Sequence, residues 1–263
     1  MRTEVSIGVP GSIGPEAVRV LAPRVEAAGF AGLWLNDGAA ADPLLGLAAA
    51  AEVTTHLRLA TGVVPVDRRP APQLFADLQR SGVPEARLTL GIGSGQLRQG
   101  AVDAVASAVG WLREMTTAAI VVGALGPRMR RMGAERSDGL LLSWLPPEVA
   151  AAQAEEARRQ GEPAQGEQPR IALYARAIVD EAARPALERE AAQYASYPTY
   201  AANFARLGVA AIDTTLPRSG GDLAAGVAAY GAVDELVLRA ITPTGSLDDL
   251  LAFVDRAGEL LGE

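Results

Sequence analysis

The chain contains no cysteine and no lysine. Without cysteine there is no disulfide, no thiolate nucleophile and no thiolate-ligated zinc or iron–sulfur centre. Without lysine, Schiff-base and lysine-nucleophile chemistry are excluded; all 24 basic residues are arginine. That bias, together with heavy use of alanine, points to a GC-rich bacterial genome. The single histidine, His56, leaves no Ser/His/Asp set, because it precedes the third expected strand, at its amino end. A metal site needs clustered histidines and carboxylates, and only Asp37 and Asp67 fall at useful strand ends, so no metal is expected. Acidic residues number 31 against the 24 basic ones, a net charge of −7, which excludes the basic footprint of a nucleic-acid binder. No apolar run approaches the ~20 residues that span a bilayer. The opening MRTEVSIGVPGSIGPEAV has no long apolar core of a secretory signal. The expectation is a cytoplasmic protein with neither membrane nor nucleic-acid partner.

What is present is apolar and alternating. Hydrophobic residues make up 49% of 263 positions, enough for a large core. Strand-like runs at 5–9, 32–36, 57–64, 87–92, 120–122, 140–143, 171–179 and 234–240 alternate with helical patterns. The helices fall at 15–28, 43–53, 72–80, 101–115, 127 onward to Asp138-Gly139, 147–160, 181–207 and 246–261, the last with Ser246 as N-cap. A polar loop covers 161–169, and 208–233 carries little periodicity. Near-continuous apolar strands are those of a parallel sheet buried on both faces. Eight βα units in this length predict one (β/α)₈ TIM barrel spanning 1–263, with the irregular 208–233 segment before the last strand. A doubly wound open sheet is the alternative, but the first turn, Val9-Pro10-Gly11-Ser12-Ile13-Gly14, is no dinucleotide fingerprint.

In a barrel the chemistry lies at the carboxyl ends of the strands. Those ends read Asn36-Asp37-Gly38, Thr61-Gly62-Val63-Val64-Pro65, Gly91-Ile92-Gly93-Ser94-Gly95-Gln96, Gly123-Ala124-Leu125-Gly126 and Ser143-Trp144. Glycine and small polar groups dominate, as they would where backbone must approach a flat ligand closely. The stretch VVGALGPRMRRMGAERSDGLLLSW, from Val121 to Trp144, adds a glycine turn feeding a helix with Pro127 near its first position. Free N–H groups at such a helix start favour an anion, and Arg128, Arg130 and Arg131 add positive charge. A phosphate-bearing ligand is the physical expectation; an ordinary strand-to-helix turn is the other reading.

Taken together, these blocks resemble the luciferase-like flavin and deazaflavin oxidoreductases. The likeness rests on Gly29-Phe30-Ala31-Gly32-Leu33-Trp34 before Asp37, on Leu57-Arg58-Leu59-Ala60-Thr61-Gly62-Val63, and on Arg87 to Gly95. It continues in Ala124-Leu125-Gly126-Pro127 to Ser137-Asp138-Gly139. Tyr197-Pro198-Thr199-Tyr200 to Phe204-Ala205-Arg206-Leu207-Gly208 is similar to an actinobacterial F420 branch. The resemblance implies a (β/α)₈ barrel, commonly a homodimer, with F420 or alternatively FMN at the carboxyl ends. It implies that Asp37 lies near the deazaflavin ring and that Gly62-Val63 forms a non-prolyl cis peptide against the ring's back face. Ser94, Gly95 and Gln99 would line the cofactor; Leu125, Gly126, Arg128 and Met129 would grip its phosphate through backbone N–H groups. Ser143 and Trp144 would face a small-molecule substrate.

Three departures narrow the activity. The family's sugar-phosphate and alcohol dehydrogenases carry a histidine after the strand-two aspartate, where this chain has Gly38. The sugar-phosphate enzymes carry a glutamate where this chain has Gln96, which is no general base at neutral pH. The segment between Gly95 and Ile120 is short. The expectation is therefore an F420-dependent oxidoreductase in the reductase direction, with no catalytic residue assigned. An FMN-dependent monooxygenase and a non-catalytic flavin-binding barrel are the alternatives.

Overall fold

Strand β1 (Glu4–Pro10) pairs in parallel with β2 (Gly32–Asn36) on one side and β9 (Glu235–Ala240) on the other. The computed structural model describes residues 3–38, 42–161, 168–217 and 221–262. From β2 the sheet runs to β3 (Arg58–Thr61); from β9 it runs through β8 (Arg170–Ala177), β7 (Gly139–Ser143) and β6 (Ala119–Gly123) to β5 (Leu88–Gly93). Pairing of Leu59 with Leu88 and of Ala60 with Thr89 closes the circle. A two-residue strand, β4 (Val64–Pro65), continues the third staff and pairs with the upper end of β5. The result is a closed eight-staved parallel barrel, the (β/α)₈ fold, wrapped by helices.

Side chains alternate across each strand. Outward residues such as Ile7, Leu33, Leu59, Leu90, Ile120, Leu140, Leu173 and Leu238 are fully buried against the helices, each stabilising the fold by roughly 1.5–3 kcal/mol. Inward residues fall into three layers. The middle one is apolar: Trp34, Ala60, Val121, Leu141, Ala172 and Val237. The amino-end layer is ionic. Buried Glu235 accepts from Ser6 Oγ (2.6 Å), Trp34 Nε1 (2.8 Å) and Arg170 (3.0 Å), while Glu4 pairs with Arg58 and Arg170. The third layer, at the carboxyl mouth, is polar and is described below. The near-continuous apolar runs therefore hold for the outward faces, and the inward faces are apolar only in the middle.

The helices that matter for the mouth are α4 (Ala101–Met115), α5 (Pro127–Arg136), α7 (Arg184–Ser196) and α8 (Pro198–Leu207). Elsewhere α1 (Gly14–Ala27), α2 (Pro43–Val53), α3 (Ala71–Ser81), α6 (Pro147–Gln160) and α10 (Leu247–Gly262) occupy the expected places. Two expectations need correction. The strand expected over 57–64 breaks after Thr61, where the Gly62–Val63 peptide is cis. There Thr61 Oγ1 takes over the ladder to β5, donating to the Gly91 carbonyl (3.0 Å) and accepting from its N–H (2.9 Å). The helix expected over 181–207 is three pieces: a short 3-10 turn (Glu181–Ala183), α7 and α8. Pro198 removes a donor and holds Tyr197 extended (φ −76°, ψ 125°), which ends α7. The aperiodic 208–233 segment contains a 3-10 turn (Ala211–Thr214) and α9 (Leu223–Ala228). Residues 162–167 of the expected polar loop and 218–220 of that segment lie outside the described residues. Among the described residues, no helix is long and apolar enough to cross a membrane, and no cluster of His, Cys, Asp and Glu could hold a metal ion.

Candidate functional site

The cis peptide sits at the mouth of the barrel. Asn36 Nδ2 donates to the Gly62 carbonyl, and Tyr174 Oη donates to Asn36 Oδ1 (3.0 Å), so β2 and β8 together hold this bond in place. Val63 points toward three glycines. A Cβ at Gly91, Gly93 or Gly123 would come within 3.2, 2.8 and 3.0 Å of its methyl groups. A Cβ at Gly8 would meet Tyr174 Oη at 2.3 Å, and one at Gly62 would meet the same ring at 3.2 Å. These glycines therefore make room for Val63 and Tyr174. The expectation that strand-end glycines admit a flat ligand directly is corrected for Gly91, Gly93 and Gly123.

Asp37 has a side chain only 4% exposed and pairs with Arg68 (2.8 Å). Burial raises its carboxyl above the ordinary aspartate range, against the opposing pull of Arg68 and Arg69. Ser94 is half-buried, while Gly95 and Gln99 are exposed in the turn ahead of α4. Gly95 adopts φ +60°, and a Cβ there would strike the Asp67 carboxylate at 1.9 Å. That carboxylate accepts the Gln96 N–H (2.8 Å), so Gln96 is tied into the turn by its backbone. Val66 N–H to the Gly93 carbonyl (2.9 Å) brings this turn beside the cis peptide. Among the described residues, no hydrogen bond ties Gln99 to it.

The start of α5 is a concentration of unused donors. Its first helical hydrogen bond runs from Arg130 N–H to the Gly126 carbonyl (3.0 Å). The Arg128 and Met129 N–H groups precede it, and no side chain caps them. Gly126 has φ −92°, and a Cβ there would meet nothing within 4 Å. Two guanidiniums, Arg130 (3.0 Å) and Arg206 from α8 (3.3 Å), donate to the Leu125 carbonyl. Arg130 Nε and Asn203 Nδ2 are buried without any acceptor. Burial, and the like charge of Arg206, pull the Arg130 value down despite its Glu156 partner (3.3 Å). Arg128 is exposed and has no ion-pair partner among the described residues, Met129 is partly buried against the core, and Arg131 pairs with Glu135 (2.7 Å). Sequence reasoning missed Asn203 and Arg206, whose helix lies about 80 residues further along the chain.

Ser143 is at the mouth, where its Oγ accepts from Arg176 Nη1 (2.7 Å). Trp144 is not. Its backbone is left-handed (φ 58°), and its ring is 1% exposed, seated against Ala191, Phe204 and Ala211. Arg176 covers it (3.9 Å from the guanidinium carbon to the ring centroid) and also stacks on Tyr194 (4.6 Å). Trp144 thus packs into the wall behind Arg176, with its Nε1 buried and without an acceptor. Arg176, Arg239 and Glu190, which the sequence reading also missed, complete this layer. Their signal was an arginine inside each of two otherwise apolar strands, Tyr174-Ala175-Arg176 and Leu238-Arg239-Ala240.

A closed parallel barrel whose mouth carries a braced cis peptide and an uncapped, donor-rich helix start defines a class, and sequence comparison names it. The family model for luciferase-like monooxygenases matches residues 2–102 and 104–259. The chain belongs to that family. No curated protein matches it significantly. Solved structures similar in fold include the monooxygenase RslO1 from Streptomyces bottropensis, at 17% identity and TM-score 0.71, with 98% of each chain covered. Another is an F420-dependent secondary alcohol dehydrogenase in complex with an F420–acetone adduct, at 15% identity and TM-score 0.71, covering 97% of this chain and 99% of that one. A third is the FMN complex of the oxygenating constituent of 3,6-diketocamphane monooxygenase from Pseudomonas putida, at 13% identity and TM-score 0.67, covering 97% and 98%. At these identities the likeness is one of fold.

Proposed function

We propose that the protein is an F420-dependent oxidoreductase that works as a reductase on a small organic substrate. The observation that carries the cofactor is the start of α5: free Arg128 and Met129 N–H groups, two guanidiniums on the Leu125 carbonyl, and two buried donors lacking acceptors. That donor set fits a phosphate group. When bound, the deazaflavin supplies the hydride. Gly62 and Val63 would back its ring, with Asn36 and Tyr174 fixing the peptide between them. Leu125 and Gly126 shape the turn that holds the phosphate, and Ser94 and Gly95 form the adjoining rim. Reduction is the direction this reading favours: Asp37 is engaged by Arg68, Glu190 by Arg176, and Asp67 holds the Gln96 N–H in the rim turn, so among the described residues no carboxylate at the mouth is set up to exchange a proton with a substrate hydroxyl.

A second reading, an FMN-dependent monooxygenase, is favoured by the family's description and by the FMN-bound neighbour. Titrating the purified protein with F420 and with FMN, and following cofactor fluorescence, separates the two. Saturable quenching at micromolar F420, with FMN far weaker, supports the reductase; the reverse order supports the monooxygenase. Binding of neither removes both. If F420 binds but no substrate panel consumes reduced F420, the barrel is a non-catalytic binder. A homodimer belongs to the same reading, and light scattering at the single-chain mass would remove it.

A further inference from the structure

Two arginines at the mouth, one buried and one partly buried, hold no ligand in that reading. Arg176 in β8 and Arg239 in β9 are register partners. Both point inward, at the level where the barrel opens. Arg176 is 4% exposed, and the Arg239 side chain 15%. Two guanidiniums held side by side largely out of water need compensating charge, yet among the described residues a single carboxylate serves both. Glu190 Oε1 lies 3.0 Å from Arg176 Nε, and Oε2 lies 3.7 Å from Arg239 Nη2, beyond hydrogen-bond distance. The other bond of Arg239 goes to the carbonyl of its own neighbour, Ala240. The rings nearby bring no negative charge: burial pushes the Tyr200 hydroxyl up to about 12 and Tyr174 higher still. The cluster therefore keeps one uncompensated positive charge, on the arginine that is more open to solvent. Beside it, Ser143 accepts from Arg176 and so retains its own O–H to donate. Tyr194 and Tyr200, with ring centroids 4.9 Å apart, form an aromatic wall on the α7–α8 side.

We propose that the substrate is a conjugated or aromatic carboxylic acid, whose carboxylate is taken by Arg239 beside Arg176 and Ser143 and whose flat body lies against Tyr194 and Tyr200. A planar fork with spare donors suits a carboxylate. One surplus positive charge suits a monoanion. This inference deepens the functional reading and rests on it for taking the mouth as the substrate site.

The test compares cinnamate and benzoate with their neutral amides, cinnamamide and benzamide, by calorimetric titration of the whole protein. The wild type binds the acids about tenfold or more tighter than the amides, the scale of one charge-assisted contact. In Arg239→Gln that preference disappears while amide affinity and melting temperature hold. Should Arg239→Gln not fold, Glu190→Gln gives the complementary reading: removing the internal carboxylate tightens acid binding. Equal affinity for acids and amides, no acid binding at millimolar concentration, or a preference that survives Arg239→Gln overturns the inference. An F420 titration of the same proteins keeps the two readings apart. If Arg239→Gln weakens F420 as much as the acids, the arginine pair serves the cofactor, and the substrate assignment falls. If the wild type binds acids selectively but neither F420 nor FMN, the cofactor reading falls and the carboxylate site stands.

Discussion

Glycine serves two different ends at the mouth of this barrel. At Gly91 a Cβ would lie 2.0 Å from the Thr61 carbonyl oxygen, in the seam where β3 hands over to β4. Backbone cannot yield there as a side-chain tip can. Gly91→Ala should cost roughly 1–3 kcal/mol or more through overpacking, read as a lower urea midpoint; an unchanged midpoint contradicts the seam geometry. Gly126 faces open space at an unstrained φ, so a side chain there obstructs a ligand and nothing else. Sequence could not separate the two, because a missing Cβ looks the same whether it yields to Val63 or to a cofactor. The arginines were more legible than they were read to be. A charge at an inward position of an apolar strand is an exception to burial rules, and both Arg176 and Arg239 are such exceptions.

Helices were read accurately where local chemistry marks their ends. The ranges 43–53, 101–115 and 147–160 match α2, α4 and α6. The Ser246 cap on α10 is present, its Oγ accepting the Asp249 N–H (3.2 Å). Ser246→Ala should therefore cost about 1 kcal/mol, measured by thermal denaturation, and a shift indistinguishable from zero would remove the cap from the account. The helix expected over 181–207 breaks at Tyr197-Pro198, a breaker visible in the sequence, since the residue before a proline is driven out of the helical region. That break has a consequence for the site. It sets the direction of α8, whose Arg206 donates to the Leu125 carbonyl and to Asn203 Oδ1 while its Tyr200 packs on Tyr194 of α7. The break inside the third staff was not legible, because the identity of Gly62-Val63 says nothing of its peptide geometry outside a family resemblance.

The whole molecule has one sealed end and one open end. At the amino end, Glu235 is 3% exposed and accepts from Ser6, Trp34 and Arg170. Glu235→Ala leaves the buried Ser6 and Trp34 donors without their acceptor, while Arg58 and Arg170 keep Glu4, and should cost about 1–3 kcal/mol for each orphaned donor, checked by chemical denaturation. In the same network, the hydrogen bond from Arg58 holds Glu4 at about 2, below its ordinary 4.5, with burial opposing and Arg170 assisting. A depressed folded-state value means that the contribution is full above pH 4.5 and is lost as pH falls toward 2. Glu4→Gln should remove that part of the acid dependence; partial exposure keeps the effect modest. Identical acid-unfolding slopes in the two proteins would contradict it. At the carboxyl end, the barrel and the family were legible from strand order and motifs, whereas the ionic layers were not, because they join residues from β1, β3, β8 and β9 that only closure brings together.

The central claim is that the start of α5 grips the phosphate of a flavin-type cofactor. The direct measurement is F420 fluorescence titration of wild type beside Gly126→Val, with a melting curve for each. The account predicts saturable micromolar quenching by the wild type, its loss in Gly126→Val, and superimposable melting curves. Equal affinity in the two proteins would contradict it.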